Sequence, residues 1–526
     1  MSRHLLKATS VVGFNTFASR VLGLVRDVAF AGFLGAGGGP LMDAFLVAFK
    51  IPNFLRRLFA EGSFSQAFVP VLAEWRTRHG EPATAELIQR TAGTLAGVLG
   101  LVTLVGVVAA PLLIVVSAPG FQTDGTRFEL AVAMLRWTFP YLLFISLTAL
   151  AGSVLNLYGR FAVPAFTPVL LNLVNIATVV WLAPGSDRPE LVLAGGVFVA
   201  GLVQLAFQLP FLRAIGLLGW PRWGWDHPGV RKIMSLMLPS LFGSSVTQLS
   251  LLLDTILASL MAVGSVSWLY YADRLMEFPL GVFGIALATV VLPALSRRHA
   301  EDSPLEFQRT VDWALRLTCV FGSAASVGLL VLAGPMLATL FRYGAFDARD
   351  VEMAALALMP YAVGMFGFTL VKVLAPAFFA RQDTRTPVRI GLTALAVTVA
   401  FNLAVVLPWT LAEGVAPHAG LATATSLGAL VNATLLYRGL CRSGAYRRSA
   451  GWGSLLLRIV AANAAMAAVL LLGAGELGRW LAWGATERIA HLAGLIVLGG
   501  GTYLAVLWIA GVRREDLRGQ VPAPPL

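Results

Sequence analysis

Long apolar runs separated by short polar loops govern the whole chain. Residues 95–116 form one such run, rich in Ala, Leu, Val and Gly and free of charge. These runs reach the roughly 20 residues a helix needs to cross the hydrocarbon of a bilayer. Backbone amides find no water there, so a crossing segment must be a helix or part of a closed barrel. Continuous apolarity, with no alternation between inward and outward positions, selects the helix. The pattern predicts about fourteen spans: 9–34, 41–75, 88–117, 128–157, 161–183, 191–212, 230–262, 267–296, 307–341, 351–379, 386–409, 418–440, 452–472 and 488–512. The expected fold class is an all-α polytopic membrane protein.

Composition agrees. Of 526 residues, 57% are hydrophobic and only 13% charged, against about 25% charged in a soluble domain. The net charge of +12 is mostly arginine, collected in alternate loops. One set holds Arg76, Arg78 and Arg90; Arg160; Arg213, Arg222, Arg231 and Lys232; Arg297, Arg298 and Arg309; Arg381, Arg385 and Arg389; and Arg438, Arg442, Arg447 and Arg448. The intervening loops are neutral (35–40) or mixed and acidic (187–190 and 347–352). Basic loops stay in the cytoplasm, so both termini are expected there. The charge thus reads as topology, and nucleic acid is not an expected partner. Cys319 and Cys441 make no disulfide framework or CxxC site, and the six histidines show no metal-ligand spacing. Arg20 interrupts the first apolar run, which is read as a retained helix rather than a signal peptide.

The chain also repeats itself. Asp27-Val28-Ala29 returns as Asp254-Thr255-Ile256, Pro52 as Pro279, and Phe68-Val69-Pro70 as Val291-Leu292-Pro293. Ala110-Pro111 returns as Gly334-Pro335, Pro140-Tyr141 as Pro360-Tyr361, and Arg160 as Arg381. Six matches in order predict two six-helix lobes, residues 1–215 and 228–440. An even number of spans gives both lobes the same orientation, as in carriers built from parallel repeats. The pair of helices within 452–512 lies outside the repeat.

Charges within the early spans carry the candidate chemistry. Arg20, Arg26, Asp27, Asp43, Arg56, Arg57 and Glu61 fall in the first two, where each costs roughly 2.5–3.5 kcal/mol even on the lenient insertion scale. Arg20 and Asp27 are seven apart, on one helix face. Asp43, Lys50, Arg57 and Glu61 make a polar stripe on the second helix. Its counterpart in the second lobe carries Ser267, Asp273, Arg274 and Glu277. The surplus of arginine suits phosphate oxygens, which a guanidinium pairs bidentately, so an anionic, phosphate-bearing substrate is expected. Structural alternatives stand beside this reading. Arg56 and Arg57 can snorkel to headgroups, Arg26 and Asp27 can form an internal ion pair, and Arg20 can serve packing alone. Asp254 is a candidate sodium or proton site, with a satisfied polar contact the equal alternative; Asn402 and Thr423 are conceivable co-ligands. Asn156, Asn172 and Asn175 read as interhelical hydrogen bonding. No GxxxxGK[ST] motif occurs, so no ATPase is expected, and the scattered histidines do not supply the catalytic or metal-binding cluster that an intramembrane polyprenyl-phosphate enzyme would need. Transport would run on an ion gradient, the membrane potential or substrate consumption, with no cofactor.

At these residues the chain resembles a known family. Ser19-Arg20-Val21-Leu22-Gly23 with Arg26-Asp27, Asp43-Ala44-Phe45, Phe49-Lys50-Ile51-Pro52-Asn53 and the stretch 55–62 are similar to the first two helices of the MurJ (MviN) family. So are residues 64–70, 264–268 and 270–279, then Lys372-Val373-Leu374-Ala375-Pro376 and Arg381-Gln382-Asp383. These are lipid II flippases of the multidrug/oligosaccharidyl-lipid/polysaccharide exporter superfamily. The resemblance implies a V of two lobes around a central cationic cavity, with residues 452–512 lining a groove for the lipid tail. It implies alternating-access transfer of lipid II (undecaprenyl-diphosphate-MurNAc-pentapeptide-GlcNAc) from the cytoplasmic to the periplasmic leaflet of the bacterial inner membrane. Arg20, Arg26, Arg56 and Arg274 map onto the family's functional arginines, with Asp43 and Ser267 as further substrate contacts. Asp27, Glu61, Asp273 and Glu277, with Arg57 and Lys50, would form cavity ion pairs or gates. A sodium ion at Asp254, or the membrane potential, would provide coupling. The chain is expected to act as a monomer, with the bilayer and the cell-wall synthesis machinery as partners. The alternative is an ion-coupled exporter of drugs or other polyprenyl-linked oligosaccharides from the same superfamily.

Overall fold

The computed structural model describes residues 3–57, 64–281, 285–301 and 303–512, with side chains for all of these except 3–11, 238–251, 285–290 and 299–300. The described residues contain helices and no strand. Among the described residues, ten helical stretches are long and apolar enough to cross a membrane. They correspond to the expected spans 88–117, 128–157, 161–183 and 191–212, and to the six from 307–341 onward. The other four expected spans are the first two helices of each repeat, where the intramembrane charges of the sequence are concentrated.

The chain divides into two compact units, Met1–Ser267 with Tyr343–Phe346, and Trp268–Arg342 with Asp347–Leu526. The first holds α1 (Arg3–Leu34), α2 (Leu41–Arg56), α3 (Ser65–Val108), α4 (Ala110–Ser117), α5 (Gly125–Thr138), α6 (Tyr141–Leu157), α7 (Ala162–Ala177), α8 (Pro189–Ala214) and α9 (Pro228–Ser259). Within it α1 packs on α7, α2 on α5, α6 on α8, and α3 on both α6 and α9. Packing therefore places α9 with the first unit, whereas the sequence repeat begins its second copy there. Several expected spans are subdivided, and proline lies near three of the breaks. α3 ends at Val108, three residues before Pro111, and Pro140 separates α5 from α6; proline offers no amide to the preceding turn and crowds its carbonyls. Gly80, at φ 78°, breaks α3 near its polar start.

The second unit holds most of α10 (Ser265–Pro279), then α11 (Ile285–Ala300), α12 (Pro304–Leu317), α13 (Ser323–Val331), α14 (Ala333–Phe341), α15 (Ala348–Phe379), α16 (Arg385–Phe401), α17 (Leu407–Leu411), α18 (Pro417–Arg442), α19 (Trp452–Ala474), α20 (Leu477–Ala482) and α21 (Ala485–Ile509). The span expected at 307–341 is interrupted by a π-turn and again at Leu332, three residues before Pro335. α15 and α18 are tightly apposed because Gly364 faces Ser426 and Gly367 faces Ala429. Small residues drive such packing in lipid, where apolar burial supplies little.

π-turns follow α7 (Thr178–Leu182), α12 (Thr318–Gly322) and α16 (Asn402–Val406). The first and third lie 224 residues apart. Each is faced by a glycine of the next long helix, Gly196 beside Thr178 and Gly420 beside Val406, again 224 apart. The spacing of the sequence repeat thus recurs in a backbone irregularity and in the residue that accommodates it.

Two contacts fix loops. Gly35, at φ +66°, lies so close to the 343–346 segment that a Cβ would sit 2.6 Å from the Ala345 carbonyl oxygen, and the Ala345 amide donates to the Gly32 carbonyl at 2.8 Å. Gly35→Ala is expected to cost about 1–3 kcal/mol through backbone strain alone, read as a lower thermal unfolding midpoint. In the second unit Asp312 of α12 accepts hydrogen bonds from Tyr446 Oη (2.6 Å), Ser449 Oγ (2.7 Å), Trp452 Nε1 (2.7 Å) and Arg316 Nε (2.8 Å). Burial and the Asp312 carboxylate push the Tyr446 phenol well above its usual range. One acid so ties down the loop leading into α19. Asp312→Ala strands three buried or half-buried donors, at about 1–3 kcal/mol each. It is expected to open residues 443–451 to limited proteolysis while leaving helix content unchanged.

Candidate functional site

In the first unit the charges of α1 fall into two groups. Arg26 and Asp27 are 5% and 1% exposed and form an ion pair, Nη2 to Oδ1 at 2.7 Å and Nε to Oδ1 at 3.0 Å. Arg26 Nη1 also donates to Asn172 Oδ1 of α7 at 3.2 Å, and Asn172 Nδ2 donates to the Ser19 carbonyl at 3.0 Å. Gly23 allows this approach, with Asn172 3.7 Å from where a Cβ would be. The guanidinium lies 5.9 Å from the centre of the Phe30 ring. Arg26 is thus held between two helices and offset by its neighbour. Arg20, two turns away, is half-buried and has no hydrogen-bond or ion-pair partner among the described residues.

The polar stripe of α2 is divided as well. Asp43 is fully buried. Its Oδ2 accepts from the Gly264 amide at 2.8 Å, and its Oδ1 from the Ser267 amide at 2.9 Å and the Ser267 hydroxyl at 2.5 Å. Amides at a helix start have no intrahelical acceptor, so Asp43 caps the turn from which α10 begins. Asp43 and Ser267, expected as separate substrate contacts, are each other's partners in this conformation. Lys50 donates to Thr255 Oγ1 of α9 at 3.3 Å, and Arg56 Nε to Asn53 Oδ1 at 3.0 Å. Arg57 is exposed, and its side chain has no hydrogen-bond or ion-pair partner among the described residues. Glu61 lies outside the described residues.

Sequence reasoning missed Arg127. It is 6% exposed and reaches from α5 to Asp43 Oδ2 at 3.9 Å, with Nη1 donating to the Met261 carbonyl at 3.4 Å. Asp124 steadies its Nε at 2.8 Å, and Phe121 lies under the guanidinium at 4.9 Å. Alongside, the Gly120 amide donates to Ser259 Oγ at 3.1 Å. The segment before α5 and the start of α2 therefore grip the 259–267 turn from both sides. The only signal in sequence was an arginine beside Asp124 in a loop otherwise poor in base.

In the second unit Arg274 Nη1 pairs with Glu277 Oε2 at 3.0 Å, and its Nε lies 3.3 Å from Tyr270 Oη, over whose ring the guanidinium sits at 5.2 Å. Both charged side chains are part-exposed, at 35% and 47%. Asp273 is half-buried one residue earlier. Of the candidate cation ligands, Asp254 is half-buried in α9 and Asn402 is buried in a π-turn of the other unit. Thr423 donates to the Ala419 carbonyl of its own helix at 2.8 Å. Among the described residues no cluster of three or more His, Cys, Asp or Glu is placed to hold a metal ion. Arg20 and Arg56 in the first unit and Arg274 in the second are thus half-buried guanidinium groups.

The description "Lipid II flippase MurJ" belongs to the family model that matches residues 30–486. The chain belongs to this family. Among its relatives, "Probable lipid II flippase MurJ" of Vibrio cholerae is 47% identical, with 98% of each chain covered. "Probable lipid II flippase MurJ" of Haemophilus influenzae is 45% identical over 95% of this chain and 99% of its own. "Lipid II flippase MurJ" of Burkholderia cenocepacia is 42% identical, over 98% and 99%. A solved structure, "Lipid II flippase MurJ, inward closed conformation", superposes with a TM-score of 0.79 at 23% identity, covering 96% of this chain and 99% of that one. An inward-facing multidrug resistance MATE transporter of the MOP superfamily follows at 0.63 and 14%, covering 81% and 95%. The last two matches concern the fold. The family architecture accordingly extends over almost the whole chain.

Proposed function

We propose that this chain is a lipid II flippase, carrying the undecaprenyl-diphosphate-linked disaccharide-pentapeptide from the cytoplasmic to the periplasmic leaflet. The observation that carries the reading is 42% identity, across 98% of the chain, to a protein named a lipid II flippase. The site chemistry supports it. A diphosphate needs cations that keep their charge away from bulk water, and arginine does so. Arg20, Arg56 and Arg274 are the groups assigned to the diphosphate. Arg26, locked to Asp27 and Asn172, fixes α1 against α7 and adds to the field. Asp43 and Ser267, with Arg127 behind them, form a latch that holds the 259–267 turn in this conformation and parts during the transport cycle. Transport needs no ATP hydrolysis here; coupling is assigned to the membrane potential acting on the cationic site, about 2.3 kcal/mol per charge per 100 mV, or to a cation at Asp254. Both termini are assigned to the cytoplasm by the arginine-rich loops, and the membrane to the bacterial inner membrane. The two repeats, 1–215 and 228–440, are assigned as the moving lobes, the 452–512 pair as the lipid-tail groove, and the cell-wall synthesis machinery as the user of the product. The test is growth complementation in cells depleted of their own flippase. Wild-type chain is expected to restore growth; failure to do so at normal membrane abundance overturns the reading.

A further inference from the structure

The segment joining α8 to α9 is held in place more firmly than a linker needs. Its Arg222 amide donates to the Gln89 carbonyl of α3 at 3.0 Å, and its Gly224 amide to Thr94 Oγ1 at 3.0 Å. Gly93 and Gly97, one turn apart on α3, open the groove that receives it. A Cβ on Gly93 would collide with the Arg222 backbone, and one on Gly97 would lie 2.7 Å from the Trp223 ring. Fixed in this way, the segment displays Trp220, Trp223 and Trp225 at 86%, 59% and 47% exposure, with the last two rings stacked 6.3 Å apart.

The depth of this platform follows from α3. Trp223 rests on Gly97, one helical turn from Leu101, and Val98, Leu101, Leu104 and Val105 are all exposed apolar side chains of a membrane-crossing helix. Gly97 adjoins Val98, so Trp223 sits at the headgroup margin of the lipid-facing band, while Gly219 and Gly224, beside Trp220 and Trp225, pack on Gln89 and Arg90 two turns further toward the polar start of α3, about 10 Å of helix rise. Amphipathic indoles favour that headgroup level. The charge there is basic: Arg213 and Arg222 are exposed and form no side-chain hydrogen bond or ion pair among the described residues, whereas Arg231 is paired with Asp226 and Lys232 with Glu74.

We propose that the 217–225 segment is an interfacial docking platform for anionic phospholipid, its tryptophans seated among the headgroups and Arg213 and Arg222 pairing with lipid phosphate. It anchors the α3–α9 side of the first unit to the bilayer surface. The inference does not depend on which substrate is carried.

The test uses the full chain reconstituted in vesicles. Tryptophan fluorescence is compared between wild type and W220F/W223F/W225F in lipid brominated near the headgroup or near the chain ends, in phosphatidylglycerol and in phosphatidylethanolamine. The difference signal, which isolates the three indoles, should be quenched more by shallow than by deep bromines, and more in phosphatidylglycerol. R213Q/R222Q should erase the phosphatidylglycerol preference and leave the depth unchanged. A difference signal that no bromine quenches would put the segment in water or under a protein partner and overturn the proposal. Stronger quenching by deep bromines, or equal quenching in the two lipids, would overturn it too. W220F alone, at the most exposed ring, gives the same readout if the triple variant does not fold.

Discussion

Arg127→Ala is expected to be among the most destabilising single changes in the first unit. The guanidinium and the Asp43 carboxylate are 7% and 0% exposed, and removing one partner of a buried pair costs roughly 3–5 kcal/mol because the remaining charge stays desolvated. Asp43 keeps its bonds to Gly264 and Ser267, but the Met261 carbonyl loses a donor and the 259–267 turn loses its hold on α5. The thermal unfolding midpoint of the purified variant reads the loss. Asp43→Asn in the same background removes the unpaired charge and is expected to recover part of it. A double variant whose loss equals the sum of the two single losses would show that the residues are not coupled. A cysteine placed at Met261 should also become more reactive to an impermeant maleimide in Arg127→Ala than in the parent.

Arg20→Ala combined with Arg274→Ala is expected to abolish growth in flippase-depleted cells at unchanged membrane abundance. Neither side chain is fully buried, Arg20 has no partner among the described residues, and the Glu277 carboxylate that Arg274 leaves is 47% exposed, so folding should survive. That separates them from Arg26, whose removal would strand Asp27 at 1% exposure and lower abundance as well as activity. Arg20→Lys and Arg274→Lys keep the charge but lose the planar fork, and are expected to restore growth only in part. Full growth of the double alanine variant would remove both residues from the diphosphate site.

The contrast between Arg20 and Arg26 shows what the sequence holds and what it does not. Apolar run length is a bulk property of lipid, and it located most spans closely: 161–183 was expected where helix and π-turn cover Ala162–Leu182, and 351–379 where α15 covers Ala348–Phe379. Helical spacing puts Arg20 and Asp27 on one face, but the alternative reading, an internal Arg26–Asp27 ion pair, is the one the structure shows, because a long side chain swings across the 100° between neighbours. The Asp43–Arg127 contact was not legible, since its partners are 84 positions apart and Arg127 already has Asp124 three residues before it. The π-turns were equally hidden: a single extra residue per turn leaves hydropathy unchanged. Pro111, Pro140 and Pro335 were visible, but a proline can kink a membrane helix without ending it, and only the structure shows that these interrupt theirs.

The most direct test of the proposed activity is the amount of lipid II reachable from outside cells depleted of their own flippase. A membrane-impermeant lipid II-cleaving enzyme is added to such cells carrying this chain, and the cleaved headgroup is counted. Wild-type chain is expected to restore cleavage to the level before depletion, and the Arg20→Ala/Arg274→Ala variant to leave it at the depleted level. Wild-type chain present in the membrane with no rise in cleavage would contradict the assignment of this protein as a lipid II flippase.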